Sequence, residues 1–403
     1  MGLRRGLATL AAAALVAAGP QIGLSDPGGA APAAAERGAA PDTGVVSPER
    51  TGPPPSPAPA AGAEAGALPA PTLGTLRIAT FSPELTRKGP GLLLKDITDG
   101  KDAQIAAVVQ VIAAARADVL LLTGIDWDHD GLALAALAAR LEAAGARYPH
   151  RYASQPNSGM ATALDLDGDG RTGTADDAQG FGLFTGQGGM AVLSRLPLGA
   201  VTDHAGVLWR DLPGNLMPPA PPEVAAVQRL SSAAHWEVPI ETPGGPLRLL
   251  AWSATPPVFD GPEDRNGRRN HDEAAFWLTR LPPARFVLVG DGNLDPEDGE
   301  GRPEALRALI AQTQDPRPAS AGGAATARDS AKAGQRGNPA LDTADWPEAD
   351  GPGNLRVDLV LPSRDLTVRA SGVLWPVPGA PLAEAVAAAS RHRLVWVDVE
   401  VAP

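Results

Sequence analysis

Short apolar runs rich in β-branched residues recur from Leu76 onward, and they constrain the fold more than any other feature of the sequence. Runs of this length, bounded by Gly, Pro and Asp, are typical of buried β-strands. Only a few segments between them have helical spacing. Many strands with single helices between them predict two packed sheets with helices outside. The runs are LRIATF (76–81), DVLLLT (118–123), GMAVLS (189–194), HWEVPI (235–240), LRLLAWS (247–253), RFVLVG (285–290), LRVDLVLP (355–362), TVRASGVLW (367–375) and LVWVDVEV (394–401).

Four segments between these runs predict helices. Asp102 precedes residues 103–116, where apolar residues recur every three or four positions, and we expect it to cap that helix. Asp130 is predicted to cap an Ala- and Leu-rich helix that ends near Gly145. The other two predicted helices are at 270–280 and 303–312. A long connection at 296–354 is rich in Gly, Ala and Asp, and its length is typical of functional or mobile loops.

The N-terminal part of the chain differs in composition from the rest. Two arginines precede an apolar run at 7–19, which has the length of a signal-peptide hydrophobic region and is too short to span a bilayer. We therefore expect residues 1–19 to be a signal peptide, with an uncleaved anchor as the alternative, and the protein to be exported, periplasmic or extracellular. Residues 20–74 are rich in Ala and Pro and predict a disordered linker. The folded domain would then be 75–403.

Composition narrows the chemistry. The absence of cysteine excludes disulfides, thiolate metal sites and cysteine nucleophiles, so reactive groups must be oxygens and imidazoles. A formal net charge of −12 argues against bulk nucleic-acid binding but permits a small phosphoester or phosphorylated ligand. After the predicted signal, no run approaches the roughly 18 apolar residues of a membrane helix. We expect no integral membrane segment in the mature chain, and a monomer.

Seven segments, in this order, resemble the endonuclease/exonuclease/phosphatase superfamily, which has the deoxyribonuclease-I-like fold. The resemblance covers nearly everything from Leu76 to Val401. It implies an α/β (α+β) fold, a four-layer α/β/β/α sandwich of two mostly antiparallel sheets with helices outside. It also implies phosphoester cleavage at one edge of the sheets with Mg or Mn. The segments are LRIATF, ADVLLLTGID, GGMAVLSRLPL, TPPVFDGPEDRNGRRNHDEAAFW, FVLVGDGNLDP, RVDLVLPS and SRHRLVWVD.

Four residues match catalytic positions of this family. Asp291 and Asn293 lie two apart just beyond a strand, on one face, and the resemblance implies that they position the attacking water and contact the scissile group. His392 matches the histidine that stabilises the charged phosphoryl group, and Asp358 the carboxylate that orients it. Without the resemblance, GDGN is also a turn sequence, and an isolated histidine is more often a surface residue.

Four other family positions are substituted. Ser82 stands where the family has asparagine after the first strand, and Gly124 replaces the metal-binding glutamate. Ser253 replaces the histidine of the middle strand, and Arg391 the aspartate before the final histidine. Magnesium is held by only one or two carboxylates plus substrate. A missing general acid or base costs about 10²- to 10⁴-fold in rate. These substitutions predict weak, altered or absent activity and leave open whether the chain is an enzyme.

Two residues could compensate for these losses. Asp126 lies two positions beyond Gly124 and could supply a relocated metal ligand. The guanidinium of Arg391 could bind an anion where relatives hold a metal-bound water. The second interpretation predicts phosphate binding without turnover.

The sequence DLDGDGRTGTAD resembles a calcium loop. Asp165, Asp167 and Asp169 alternate, Gly170 follows, and Asp176 occupies the twelfth position, where an EF-hand has glutamate. The flanks are Gly-rich rather than helical. A lone calcium site and a solvated acidic turn both fit this pattern.

A basic segment, DGPEDRNGRRNHDE, matches another family motif. Arg265, Arg269, Asn270 and His271 are candidate substrate-binding residues, because arginine and a helix start together can bind an anion. Asn270 could cap the helix. The alternative is a charged helix start with no ligand.

Three functions therefore stay open. The first is an exported, metal-dependent phosphoester hydrolase scaffold with a degenerate active site. The second is a non-catalytic binding module that holds a phosphorylated ligand or a partner at the same cleft. The third is an envelope protein stabilised by calcium.

Overall fold

The computed structural model describes residues 66–326, 335–347 and 351–401. The predicted signal peptide and most of the predicted linker lie outside these residues. Within them, the apolar runs form the expected strands. The strands are β1 (Thr75–Phe81), β2 (Val119–Ile125), β3 (His150–Tyr152), β4 (Gly189–Ser194), β5 (Thr202–Asp203), β6 (His235–Ile240), β7 (Leu247–Ser253), β8 (Phe286–Asp291), β9 (Ala344–Asp345), β10 (Asn354–Leu355), β11 (Asp358–Pro362), β12 (Val368–Leu374) and β13 (Leu394–Glu400).

Two large sheets dominate the architecture. One has the strand order β12-β13-β1-β2-β4-β3, and the other β11-β8-β7-β6-β5; β9 and β10 form a separate pair. Among the described strands, β1–β2 and β7–β8 are parallel and the other neighbours are antiparallel. The expectation of two mostly antiparallel sheets is confirmed.

Eight α-helices are present in the described part of the chain. They have the bounds α1 (Leu92–Asp99), α2 (Ala103–Ala115), α3 (Leu132–Ala143), α4 (Pro222–Ala225), α5 (Arg265–Leu278), α6 (Glu304–Gln312), α7 (Ala321–Thr326) and α8 (Ala383–Ala389). None of these helices has the length and apolarity that a bilayer crossing requires.

The continuous apolar runs are explained by burial on both faces of each sheet. In β2, Leu120 and Leu122 pack against α1, α2, α3 and α8, whereas Val119 and Leu121 point between the sheets. In β8, the same alternation directs Leu288 towards α5 and α6. Helices therefore cover the outer faces of both sheets, and the four-layer sandwich is confirmed.

The helix starts test the capping predictions. Asp102 caps α2, since its Oδ1 accepts a hydrogen bond of 2.9 Å from the N–H of Ile105. The cap assigned to Asp130 is wrong. The Asp128 carboxylate accepts instead from the first two N–H groups of α3, at 2.8 Å each, while left-handed Gly131 turns the chain into the helix.

The basic segment enters its helix earlier than predicted. α5 starts at Arg265 rather than Asn270, so Asn270 lies inside the helix and is not its cap. Contacts with the interior of the domain explain why the helix begins earlier than predicted. Arg269 and Asn270, which follow the first turn, are buried and hydrogen-bonded to backbone carbonyls of neighbouring loops. In the first turn, Nδ2 of Asn266 donates to the Val258 carbonyl, and these contacts stabilise the helix start despite its polar sequence.

Candidate functional site

Strand pairing brings the predicted catalytic residues to one edge of the molecule. In the second sheet, β7, β8 and β11 are neighbours, and their register places Asp291 beside both Ser253 and Asp358. His392 lies just before β13 of the first sheet and pairs with Ala344 through a β-bridge. Residues far apart in sequence therefore converge where both sheets end.

Asp291, Asp358 and His392 form a buried cluster. Each residue offers one candidate ligand atom, and these atoms lie within 4.8 Å of one another. Nδ1 of His392 lies 2.9 Å from Oδ2 of Asp358, and the two side chains are 7% and 0% exposed. Oδ1 of Asp358 is buried without a hydrogen-bond partner among the described residues. The carboxylate fixes the imidazole orientation and leaves Nε2 as the ring nitrogen available to a ligand.

Burial and charge shift the protonation of this cluster in opposite ways. Burial and the neighbouring Asp358 carboxylate raise the pKa of Asp291 to about 7, although the positive His392 acts to lower it. Burial acts to lower the pKa of His392, but Asp358 and Asp291 outweigh it and raise that pKa to about 9. At neutral pH the imidazole is therefore positively charged and suited to an anionic group.

Two asparagines shape the loop after β8. The N–H of Asn293 donates to Oδ1 of Asp291 at 2.8 Å, and its Nδ2 donates to the Ala254 carbonyl at 2.8 Å. Asn293 has a φ of 49°, the left-handed region that asparagine tolerates better than most residues. Nδ2 of Asn270 donates to the Gly292 carbonyl at 2.8 Å and anchors the same loop from α5. Asn270 thus positions the loop.

Another corner of the site carries three of the four substituted positions, Ser82, Gly124 and Arg391. Gly124 has a φ of +61°, and a Cβ there would lie 3.1 Å from Oγ of Ser82 and 4.0 Å from the backbone nitrogen of Glu84. The Glu84 carboxylate accepts hydrogen bonds from the N–H and Nε of Arg391, at 2.9 and 2.8 Å, and from its Nη2. Oγ of Ser390 also donates to it at 3.1 Å. An ion pair therefore fills this corner.

Part of the 296–354 connection packs against the cluster of Asp291, Asp358 and His392. Oγ1 of Thr343 accepts the N–H groups of residues 357 and 358 at 2.9 Å each, which holds the start of β11. The ring of Trp346 stands edge-on to His392, with 5.3 Å between ring centroids. The predicted 296–354 connection therefore contains ordered parts that build one wall of the site.

Three of the four predicted substrate-binding residues in the basic segment, Arg269, Asn270 and His271, make hydrogen bonds within the domain. Arg269 is fully within the domain and donates to backbone carbonyls, including those of Leu230 and Ser231 at 2.8 and 2.9 Å. Nδ1 of His271 lies 2.9 Å from Oδ1 of the next residue, Asp272. Arg265 lies within electrostatic range of the acidic loop rather than of the Asp291 cluster.

The carboxylate of Asp126, the candidate relocated metal ligand, is engaged in hydrogen bonds with the backbone. Its carboxylate accepts the N–H groups of Arg87 and Gly188 at 2.8 and 3.1 Å, and it joins neither cluster of candidate metal-ligating groups in the described residues. These hydrogen bonds tie the end of β2 to two loops. The structure does not bring Asp126 together with Asp291.

The acidic loop forms a cluster of slightly different membership. Candidate ligand atoms of Asp165, Asp167 and Asp177 lie within 4.8 Å of one another. Asp176 is exposed outside this group, and Asp169 accepts the N–H of Arg171. The buried carboxylate of this loop is therefore one position later than the pattern predicted.

Glu84 and Thr343 are the residues of the site that the sequence analysis missed. Glu84 lies two positions beyond Ser82, and the same two-residue spacing that singled out Asp126 would have identified it. Thr343 carries no sequence signal, because its role depends on the long connection folding back onto β11.

Comparisons with known proteins agree with this architecture. A model described as "Endonuclease/Exonuclease/phosphatase family" matches residues 97–392. A solved endonuclease/exonuclease/phosphatase from Beutenbergia cavernae DSM 12333 is 19% identical over 81% of this chain and 72% of that chain, with a TM-score of 0.50. A family protein from Leptotrichia buccalis C-1013-b is 15% identical over 81% and 99% of the two chains, with a TM-score of 0.44. No curated protein matches the chain. At 19% identity, the Beutenbergia structure shows a common fold.

Proposed function

Because the chain belongs to the endonuclease/exonuclease/phosphatase family, we propose that it is an exported phosphoester hydrolase scaffold whose catalytic site is incomplete. It retains a pocket for a phosphoryl group, and its activity on phosphoesters is weak or absent. Membership of the family indicates phosphoester cleavage as the class of reaction. The side chains at the edge of the sheets determine how much of that activity this chain retains.

The retained half of the site supports phosphoryl binding. His392 is buried, positively charged at neutral pH and oriented by Asp358, so it can stabilise an anionic oxygen. Asp291 and Asn293 stand beside it on the β8 loop. These are the groups that would contact the ester and orient an attacking water.

The other half lacks the groups that the family reaction needs. Ser253 stands beside Asp291 where the resemblance implies a histidine, so a general acid or base is missing. Losing such a group costs about 10²- to 10⁴-fold in rate, which is about 3 to 5 kcal/mol of barrier. The rate effects of losing this histidine and of losing the metal-binding glutamate at position 124 do not simply add, because both groups act on one transition state.

The residues at the Gly124 corner do not fit the divalent metal of the family. Gly124 offers no side chain, and the carboxylate of Glu84, a residue whose backbone nitrogen would lie 4.0 Å from a Cβ at position 124, is paired with the Arg391 guanidinium. Family enzymes use divalent metals, and the Asp291 cluster could offer ligand atoms to one. The Glu84–Arg391 pair is the single observation that carries the proposed function.

Turnover measurements test this function. The full chain is assayed on aryl phosphodiesters and phosphomonoesters with Mg²⁺ or Mn²⁺, beside the triple variant Gly124→Glu, Ser253→His, Arg391→Asp. Its matched control, Gly124→Ala, Ser253→Gln, Arg391→Asn, has the same backbone strain at position 124 without the restored groups. We expect the unmodified chain to stay at least about 100-fold below an efficient enzyme, whose kcat/KM is about 10⁴ M⁻¹s⁻¹ or more. A wild-type value in that efficient range contradicts the proposal, whatever the variants do.

Export is part of the same proposal. It is supported by the apolar run at 7–19 behind two arginines and by the Ala- and Pro-rich residues 20–74. Localisation of a tagged full chain, with and without residues 1–19, tests it. Full retention of both forms in the cytoplasm contradicts export.

Binding without catalysis is the second candidate function, and the same ion pair favours it. An exposed guanidinium suits an anion, whereas an uncompensated carboxylate cluster would suit a metal. The calcium-stabilised envelope protein stays a third proposal and has support from the Asp165, Asp167 and Asp177 cluster.

A further inference from the structure

Arg391 occupies an unusual position for a cation. It lies on the chain directly before His392, at the corner where the family resemblance implies metal ligands. Its guanidinium and its backbone N–H both contact the Glu84 carboxylate. Ser390, one residue earlier, donates to the same carboxylate and to the Ser82 carbonyl. The end of β1 and the start of β13 are thus tied together through Glu84.

The contacts of Glu84 leave part of the guanidinium available. Nε and one N–H of Nη2 are used by Glu84. A guanidinium has five N–H donors, so three remain without a partner among the described residues. The Arg391 side chain is 56% exposed, whereas that of Glu84 is 25% exposed. The carboxylate holds the guanidinium in place and leaves these donors available to a ligand.

Charge balance explains why both members of the pair are needed. Glu84 lies close enough to Asp291 and His392 to raise the pKa of both groups. Without Arg391, an acidic group would stand beside a phosphoryl pocket and repel its ligand. Burial acts to raise the pKa of Glu84, but its hydrogen bonds to Arg391 outweigh burial and lower it, so the pair is ionised at neutral pH.

We propose that the guanidinium of Arg391, held by Glu84, supplies the positive charge that a divalent metal supplies elsewhere in the family, so that this site binds a phosphoryl anion without a metal. Arg391 is the donor to the phosphoryl oxygens, and Glu84 is a positioning residue. Planar N–H pairs match phosphate oxygens in a bidentate way, which an ammonium cannot do. This inference rests on the proposed function and adds the identity of the cation.

Binding of two probes to the full chain tests the inference, with inorganic phosphate and dimethyl phosphate titrated in EDTA by calorimetry and ³¹P line broadening. We expect binding in EDTA, and no more than a twofold change when Mg²⁺ replaces EDTA. Arg391→Gln should weaken binding at least tenfold, or about 1.4 kcal/mol. Glu84→Gln should weaken it less, because it releases the guanidinium without removing it.

Two controls separate this effect from loss of folding or of surface charge. Arg391→Lys keeps the charge but not the planar donor pair, and should bind between wild type and Arg391→Gln. Arg369→Gln breaks another exposed ion pair, with Glu400 in the same sheet, and should bind like wild type. Circular dichroism of every variant shows whether it is folded.

Three results would overturn the inference. They are binding that requires Mg²⁺ or Mn²⁺, the same affinity in folded Arg391→Gln and wild type, and no binding of either probe by wild type in EDTA. The weak or absent activity in the proposed function is tested separately, by the turnover measurements. A slow or inactive enzyme without metal-free binding would retain the proposed function and refute the cation assignment.

Discussion

Replacing Arg391 with aspartate should convert the anion site into a metal site. The substitution removes the guanidinium from Glu84 and adds a second carboxylate beside it. Two neighbouring carboxylates repel each other unless a cation neutralises them. We therefore expect Arg391→Asp to lose stability in EDTA and to recover it in Mn²⁺.

The partial exposure of the pair sets the magnitude. Loss of a pair that is 56% and 25% exposed costs up to about 1 kcal/mol. Repulsion between two carboxylates about 4 Å apart adds about 1 kcal/mol where water screens them well, and up to about 4 kcal/mol where it does not. A total near 2 kcal/mol follows for this half-exposed corner. Mn²⁺ at about 100 times its Kd would return about 2.7 kcal/mol.

Urea unfolding of wild type, Arg391→Asp and Arg391→Asn, each in EDTA and in Mn²⁺, measures this effect. The Asn variant loses the ion pair without gaining a carboxylate, so Mn²⁺ should not rescue it. Any Mn²⁺ bound by the acidic loop stabilises all three proteins equally and cancels in the comparison. Equal stabilisation of wild type and Arg391→Asp by Mn²⁺ would refute the reasoning.

Four further predictions concern other parts of the molecule. The raised pKa of His392 contributes up to about 3 kcal/mol of stability, which is fully present below about pH 6.5 and is lost as the pH rises through about 9. In His392→Gln, the free energy of unfolding in urea should therefore depend less on pH between pH 7 and 9.5. A pH dependence equal to that of wild type would contradict the pKa shift. Gly124→Ala should cost about 1 kcal/mol in urea unfolding because its φ is +61°, and a neutral effect would argue against that backbone conformation. Asn270→Ala should cost about 1 to 3 kcal/mol by the same assay, since it leaves two carbonyl groups without their donor; a cost below about 0.5 kcal/mol would contradict this role. If the acidic loop binds calcium, Ca²⁺ should raise the Tm of wild type but not of Asp167→Asn, whereas no rise in wild type would favour a solvated turn.

Much of the fold could be predicted because burial imposes strong patterns. Residues 119–122 of β2 and 286–289 of β8 are apolar without interruption, which is typical of a strand covered on both faces. The start of α5 could not be predicted, because its first turn is polar. Contacts outside the helix stabilise it, as the hydrogen bond from Nδ2 of Asn266 to the Val258 carbonyl shows.

The site was predictable only in part, for a related reason. Asp291 ends β8, Asp358 begins β11 and His392 lies just before β13, so their convergence follows from strand order. The role of Glu84 depends on a partner more than 300 positions away, and the sequence gives no sign of that distance. Asp177 replaced Asp176 because local loop geometry, rather than spacing alone, selects which carboxylate turns inward.

An anomalous difference map from crystals soaked in manganese tests the central claim most directly. The substituted corner is predicted to show no manganese peak within coordination distance of Glu84, Asp291 or Asn293, while the Arg391 guanidinium stays on the Glu84 carboxylate. A full-occupancy peak bound by Glu84 or Asp291, with Arg391 displaced, would contradict the account and restore a metal to this site.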